Sequence, residues 1–143
     1  MAHFDFKEIF DEDYLYFYEP LLTEERLQRE IQFLAQKTNL NEPKQILDLA
    51  CGHGRHANRL SQMGHRVTGI DSSTVFLNLA KKRALELKDQ ITKVSNYCVR
   101  FYNPSEVRDL LEKAGFKEIF FYDDFNDQRL TPQSRRMVAI ATK

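Results

Sequence analysis

The residues with the most chemical potential lie together in the run Ile46-Leu47-Asp48-Leu49-Ala50-Cys51-Gly52-His53-Gly54-Arg55-His56. A short apolar stretch enters two closely spaced glycines, and helix-compatible residues follow. Gly52 and Gly54 permit a tight turn and let a ligand approach backbone N–H groups closely. Asp71 lies nineteen residues past Gly52, at the end of the next expected strand. A carboxylate there can accept hydrogen bonds from both hydroxyls of a ribose. Asp48 sits four residues before Gly52 and sets the charge preference. It would repel a pyrophosphate and suits a cationic group, or a water that binds one. Ala57 satisfies the last position of a dinucleotide pattern, Gly-x-Gly-x-x-Gly/Ala, but Asp48 argues for a ligand with an amino acid ammonium or a sulfonium instead.

These residues need strands and helices to hold them. Thr23 is placed to cap a helix with Glu24 and Glu25 in its first turn, and Leu27, Ile31, Leu34 and Ala35 recur on one face to about Thr38. Gln45–Leu49 reads as a buried strand, Arg55–Met63 as a helix with Ala57 and Leu60 inward, and Gly64 as its stop. His65–Ile70 is the second strand. Asp71, Ser72 and Ser73 then cap a helix that should bury Phe76, Leu79, Ala80, Ala84 and Leu87, with Lys81, Lys82 and Arg83 in water. Tyr97–Tyr102 alternates as a strand. Asn103, Pro104 and Glu106 form a capping box before the stripe Val107, Leu110, Leu111 and Ala114, and Gly115 ends that helix. Lys117–Tyr122 and Arg135–Ala141 are the closing strands, expected to pair antiparallel across the polar loop 123–134. The order α, βαβα, βαββ gives an α/β sheet with helices on its faces.

Composition narrows the rest. The chain has 143 residues, and its 21 Lys and Arg balance its 21 Asp and Glu. One domain is the default at this length, and no global field draws it to nucleic acid or an anionic surface. Two cysteines, Cys51 and Cys98, cannot build a disulfide framework, so a reducing, cytoplasmic setting is expected. The first residues lack the basic-then-apolar pattern of a secretory signal, and no run is long enough to span a bilayer. Cys51, His53, His56 and His65 have no convincing metal-ligand spacing, and Asp123, Asp124 and Asp127 lack the glycine and distal glutamate of a calcium loop. His56 is expected to face solvent. No nucleophile elbow is present.

With DLACGHG, Asp71, the stretch VRFYNPSEVRDLLEKAGF and the closing SRRMVAIATK in view, the chain resembles the class I S-adenosylmethionine-dependent methyltransferases. The resemblance implies a reduced Rossmann-like sheet with helices on both faces and an antiparallel C-terminal strand pair. It implies S-adenosylmethionine as cofactor and methyl transfer to a small-molecule or otherwise unknown acceptor. Asp48, Ala50, Cys51, Gly52 and Gly54 would surround the methionine part, Asp71 would hold the ribose, Ser72 would lie near it, and Tyr16 would come from a leading segment folded over the pocket. Ala50 stands where the family has its first glycine. No catalytic base is indicated. The expected layout is one domain over residues 1–143: a leading segment and helix (1–40), a nucleoside-binding half (45–88) and a βαββ half (95–143).

The main departure is internal. Residues 84–95 lead almost directly into the late strand, where relatives carry further strands and an adenine-contacting acidic motif. The first strand then lacks a neighbour. Either the last strand slides across to pair with it, or a second chain supplies the missing wall, which favours a homodimer with exchanged elements. The alternative to an enzyme is an inactive remnant that binds a ligand or a protein partner.

Overall fold

A glycine turn works only with a strand before it and a helix after it, and the computed structural model supplies both. It describes residues 12–87, 95–96 and 102–143. The chain divides into two compact units, Met1–Ile31 with Glu42–Val99 and Gln32–Asn41 with Arg100–Lys143.

The first unit contains α1 (Glu12–Tyr18), a 3-10 turn at Glu19–Leu21, the first half of α2 (Glu24–Thr38), β1 (Gln45–Leu49), α3 (Arg55–Gln62), β2 (Arg66–Asp71), α4 (Thr74–Glu86) and the two-residue β3 (Ser95–Asn96). Its sheet is parallel, in the order β1-β2-β3. The register sets Asp48 beside Gly69 and Leu49 beside Ile70. Both strand ends therefore reach the turn that begins at Ala50, and the Cys51 N–H donates to the Ile70 carbonyl at 3.0 Å. Alternation along β2 buries Val67, Gly69 and Asp71. Val67 is 1% exposed, and its burial contributes about 1.5–3 kcal/mol. Leu60, Phe76, Leu77, Ala80, Leu15, Leu27 and Ile31 complete this unit's buried apolar set.

The caps follow the sequence signals. The Arg26 N–H donates to Thr23 Oγ1, and the Phe76 N–H donates to Ser73 Oγ at 3.2 Å. The second strand runs one residue later than expected, Arg66–Asp71, which leaves His65 buried at its entry and accepting from the Lys44 N–H. On α4 the buried leucine is Leu77 rather than Leu79, and Leu87 is 46% exposed. The reason is phase: with Ser73 as cap, Phe76, Leu77 and Ala80 form the inward stripe.

The second unit holds the rest of α2, then α5 (Pro104–Lys113), β4 (Glu118–Asp123) and β5 (Met137–Thr142). The capping box at Asn103 and Glu106 is complete. β4 and β5 pair antiparallel, with Glu118 opposite Thr142 and Asp123 opposite Met137. Phe33, Tyr122 and Ile140 form its core with Leu34, Phe125 and Val138 against them. Phe33 meets Tyr122 edge-on at 5.2 Å. The α5 stripe is shallower than expected, since Leu110 is 48% exposed. Phe120 is 42% exposed, yet the Arg129 guanidinium lies over its ring at 5.1 Å, a contact worth about 0.5–1 kcal/mol at the surface.

The described partner of the last strand is β4. Among the described residues β1 pairs only with β2, and Leu47 and Leu49 are 49% and 61% exposed. The expected strand at Tyr97–Tyr102, with Cys98, falls almost wholly outside the described residues.

Candidate functional site

The glycine turn is built from three left-handed residues. Gly52 has φ +55° and Gly54 φ +81°, which glycine adopts freely; Ala50 has φ +61°, which alanine does not. Ala50 thus occupies a glycine conformation with a Cβ, the cost of the substitution noted in the motif. At Gly54 a second constraint acts. A Cβ there would sit 2.8 Å from the Ala80 Cβ, so Gly54 also lets α3 start against α4.

Asp71 locks the turn. Its Oδ2 accepts the Gly52 N–H at 2.8 Å and its Oδ1 accepts the Ser73 N–H at 2.8 Å. One carboxylate ties the turn after β1 to the start of α4. Each oxygen retains a second acceptor direction, so two hydroxyls can still be held there. Ser72, next in sequence, is half-buried.

Asp48 has the opposite problem. The residue as a whole is half-buried, but its Oδ2 is sealed from solvent and has no hydrogen-bond partner. Burial, reinforced by the Asp71 charge, pushes its carboxyl up to about 6; the His56 charge and the Ala57 N–H pull the other way. A sealed, unpartnered carboxylate oxygen is costly unless a donor or cation reaches it. Cys51 lies beside Gly69, where a Cβ would meet its Sγ at 2.9 Å. Burial and the charges of Asp48 and Asp71 push its thiol up to about 12, so it stays neutral and is no nucleophile.

The surroundings correct several expectations. Tyr14, Tyr16 and Tyr18 share a face only in an extended chain, and α1 is helical. Tyr14 and Tyr18 stack at 4.3 Å, and Tyr14 lies 6.0 Å from Phe76. Tyr16 turns to the other side and is 77% exposed. His56 does not face solvent: its Nε2 is 2.8 Å from Glu30 Oε2. Arg83 does not join Lys81 and Lys82 in water but bonds Glu19 at 2.6 Å and the His53 Nδ1. His53 is buried near Phe76, and burial together with Arg83 and Arg55 depresses it to about 4. Sequence reasoning missed Glu30 altogether. It is 5% exposed on α2 and accepts from Arg26 and His56. The one signal was a glutamate one residue from Ile31 on the inward stripe.

Comparison with known proteins bears on this geometry. Residues 46–111 match the family model described as a methyltransferase domain. That interval contains the turn, Asp71 and most of the capped helix after Asn103. Over that interval the chain is similar to methyltransferase domains. Among relatives, the ubiquinone biosynthesis O-methyltransferase of Pasteurella multocida is 39% identical over 56 residues, 39% of this chain and 23% of that protein. The putative methyltransferase YqeM of Bacillus subtilis is 45% identical over 47 residues, 33% of this chain and 19% of that protein. The chain thus spans about a quarter or less of the curated relatives it matches. Two solved structures share the Rossmann-like methyltransferase fold. A TehB-like S-adenosylmethionine-dependent methyltransferase from Corynebacterium glutamicum aligns with TM-score 0.53 at 19% identity, over 80% of this chain and 87% of that one. The magnesium protoporphyrin IX methyltransferase of Synechocystis, solved with S-adenosylmethionine bound, aligns with TM-score 0.55 at 17% identity, over 68% and 56%. Within the matched residues this chain carries the glycine turn, with Ala50 at the position that the resemblance gives to a first glycine.

Proposed function

We propose that this chain is a methyltransferase that binds S-adenosylmethionine at the glycine turn and passes its methyl group to an acceptor. The observation that carries the reading is the sealed, unpartnered Asp48 Oδ2 directly before the turn. An ammonium, directly or through one water, satisfies that oxygen, and a phosphate does not. When bound, S-adenosylmethionine supplies a methyl group already activated on a sulfonium. The chain's own residues then have positioning work. Asp48 takes the ammonium, the backbone of Ala50, Cys51, Gly52 and Gly54 allows close approach, and the remaining acceptor directions of Asp71 take the ribose hydroxyls, with Ser72 alongside. Tyr16 belongs to this set only if α1 turns on binding. No side chain is assigned as a base, and the part proposed for the chain is orientation and exclusion of water. The acceptor is taken to be a small molecule. Titration calorimetry with S-adenosylmethionine and S-adenosylhomocysteine tests this, and the absence of both heat and thermal stabilisation at millimolar ligand would refute it.

The assembly reading is a homodimer, with exchanged elements one route to it. It is supported by the open side of β1, where a shallow groove of about 310 Å³ is lined by Gln45, Ile46, Leu47, Arg66 and Thr68. Parallel sheets rarely leave such a strand uncovered. Sedimentation at micromolar concentration decides it, and a single species at 16.9 kDa excludes it. The same open strand favours the second reading, a ligand-binding or protein-interaction module without turnover; methyl transfer by the purified chain eliminates that one. The unpaired Cys51 accords with work in the cytoplasm, and no described helix is long and apolar enough to cross a membrane.

A further inference from the structure

Arg83, on α4, makes two hydrogen bonds that join three elements of the first unit. Its Nη1 donates to His53 Nδ1 in the glycine turn. Its Nη2 donates to Glu19 Oε1 at 2.6 Å, in the 3-10 turn that follows α1. The two partners precede it by thirty and sixty-four residues. A guanidinium presents its N–H groups in one rigid plane, so a single side chain holds two groups at a fixed separation. An aromatic contact runs alongside. Tyr14 of α1 lies 6.0 Å from Phe76 of α4, and the Phe76 ring edge would stand 3.9 Å from a Cβ on Gly52. The leading segment thus reaches the glycine turn by two routes, and the polar one passes through Arg83.

His53 is the side chain between Gly52 and Gly54. It is 8% exposed, and its ring meets Phe76 edge-on at 6.1 Å. A guanidinium donates and never accepts, so Nδ1 is the acceptor and the neutral ring carries its proton on Nε2. Burial and the charges of Arg83 and Arg55 favour the same neutral form, while the Glu19 charge acts against them. We propose that Arg83 is a positioning residue of the glycine turn: it fixes the His53 ring in its Nε2–H form and makes ligand binding at the turn depend on the docking of Glu19 and α1. The ligand step rests on the cofactor reading given above. A ring already held loses no freedom when a ligand closes on the turn. A ligand that favours the held turn favours the docked leading segment by the same factor. The side chains of Glu19 and Arg83 are 58% and 29% exposed, so the coupling is that of a partly exposed charge pair.

The test uses the full chain, with S-adenosylhomocysteine as the probe and calorimetry for affinity. Arg83→Met removes both hydrogen bonds and keeps the apolar stem; Glu19→Ala removes only the far partner. Each should weaken binding by up to about fivefold, the range open to a partly exposed charge pair. The double variant should lose no more than Arg83→Met alone, because both changes act through one guanidinium. Losses that multiply, or an unchanged affinity in either single variant, would overturn the inference. Two further readouts need no ligand. Side-chain nitrogen spectra at neutral pH should show His53 in the Nε2–H form in wild type and Glu19→Ala, and as a mixture of the two neutral tautomers in Arg83→Met. A merely structural role would lower the Tm of Arg83→Met and leave the tautomer as it was, which would also overturn the inference. Amide hydrogen exchange along α1 should be faster in both single variants, and wild-type rates in both would separate the leading segment from Arg83 and overturn it as well. If the wild-type chain binds no S-adenosylhomocysteine, the cofactor reading fails, and the tautomer and exchange measurements still decide whether Arg83 joins the turn to the leading segment.

Discussion

Replacing Asp71 by Asn changes almost nothing in shape and a great deal in hydrogen bonding. The wild-type carboxylate accepts two backbone N–H groups, from Gly52 and Ser73, both at 2.8 Å. An amide has one carbonyl oxygen and one NH2. Whichever way it is turned, the NH2 faces a backbone N–H, so one bond becomes a donor–donor clash, and the other loses its charge. A hydrogen bond to a charged group is worth about 1.5–3 kcal/mol, and a neutral one about 0.5–1.5. Losing one and weakening the other sums to about 2–4 kcal/mol, with the residue 9% exposed and little water to compensate. Thermal unfolding of Asp71→Asn should thus fall by roughly 5–15 °C for a chain of this size. Because the clash loosens either Gly52 or Ser73, nucleoside affinity should drop as well. Addition of S-adenosylhomocysteine should therefore rescue little of the lost stability. A Tm within about a degree of wild type, measured at several scan rates to exclude kinetic artefacts, would refute the idea that this carboxylate clamps the turn.

Three further outcomes are expected. Ala50→Gly removes a Cβ at φ +61°; relief of about 1–2 kcal/mol less the entropy of a new glycine, about 0.4–1 kcal/mol, should stabilise the chain by about 0.5–1 kcal/mol in chemical denaturation, and a destabilised variant would contradict the strain. Gly54→Ala combines φ +81° with a 2.8 Å approach to the Ala80 Cβ and should cost at least about 2 kcal/mol; a loss below about 0.5 kcal/mol would show that α3 and α4 are not packed through this glycine. Asp48 has its folded pKa raised from 3.8 to about 6, so the folded state holds the proton more tightly, and its contribution to stability is greatest below 3.8 and declines as the pH rises through 6. The whole displacement corresponds to about 3 kcal/mol at most. Asp48→Asn should accordingly be more stable than wild type at pH 7 to 8, by about 1–2 kcal/mol once the buried amide's own desolvation is counted, with the advantage gone below about pH 4. A pH-independent difference in urea midpoints would refute the assignment.

Local chemistry made much of this legible in the sequence. Gly52, Gly54, Gly64 and Gly115 announce positive φ because only glycine takes it freely, and all four have it. Asn103, Pro104 and Glu106 specify a capping box because the box involves residues three apart on one chain. The pairing of β4 with β5 follows from two apolar runs joined by a polar loop. The turn between β1 and α3, with Asp71 at the next strand end, is likewise a short-range pattern, and its acid proves to be bonded to the turn it was read with.

What depended on distance through space was invisible. Nothing near Glu30 in sequence says that it will meet Arg55 and His56, twenty-five and twenty-six residues away. Tyr16 was expected from a leading segment over the pocket; with α1 helical, a spacing of four brings Tyr14 to Tyr18 and a spacing of two sends Tyr16 to the opposite side. Arg83 looked like a third solvated cation after Lys81 and Lys82, and only packing of α4 beside the Glu19 turn brought it to His53. The ionisation of Asp48 is the sharpest case. Its position before the turn is written in the chain, but its pKa is set by burial and by Asp71 and His56, groups that reach it only when β2 and α3 close around it.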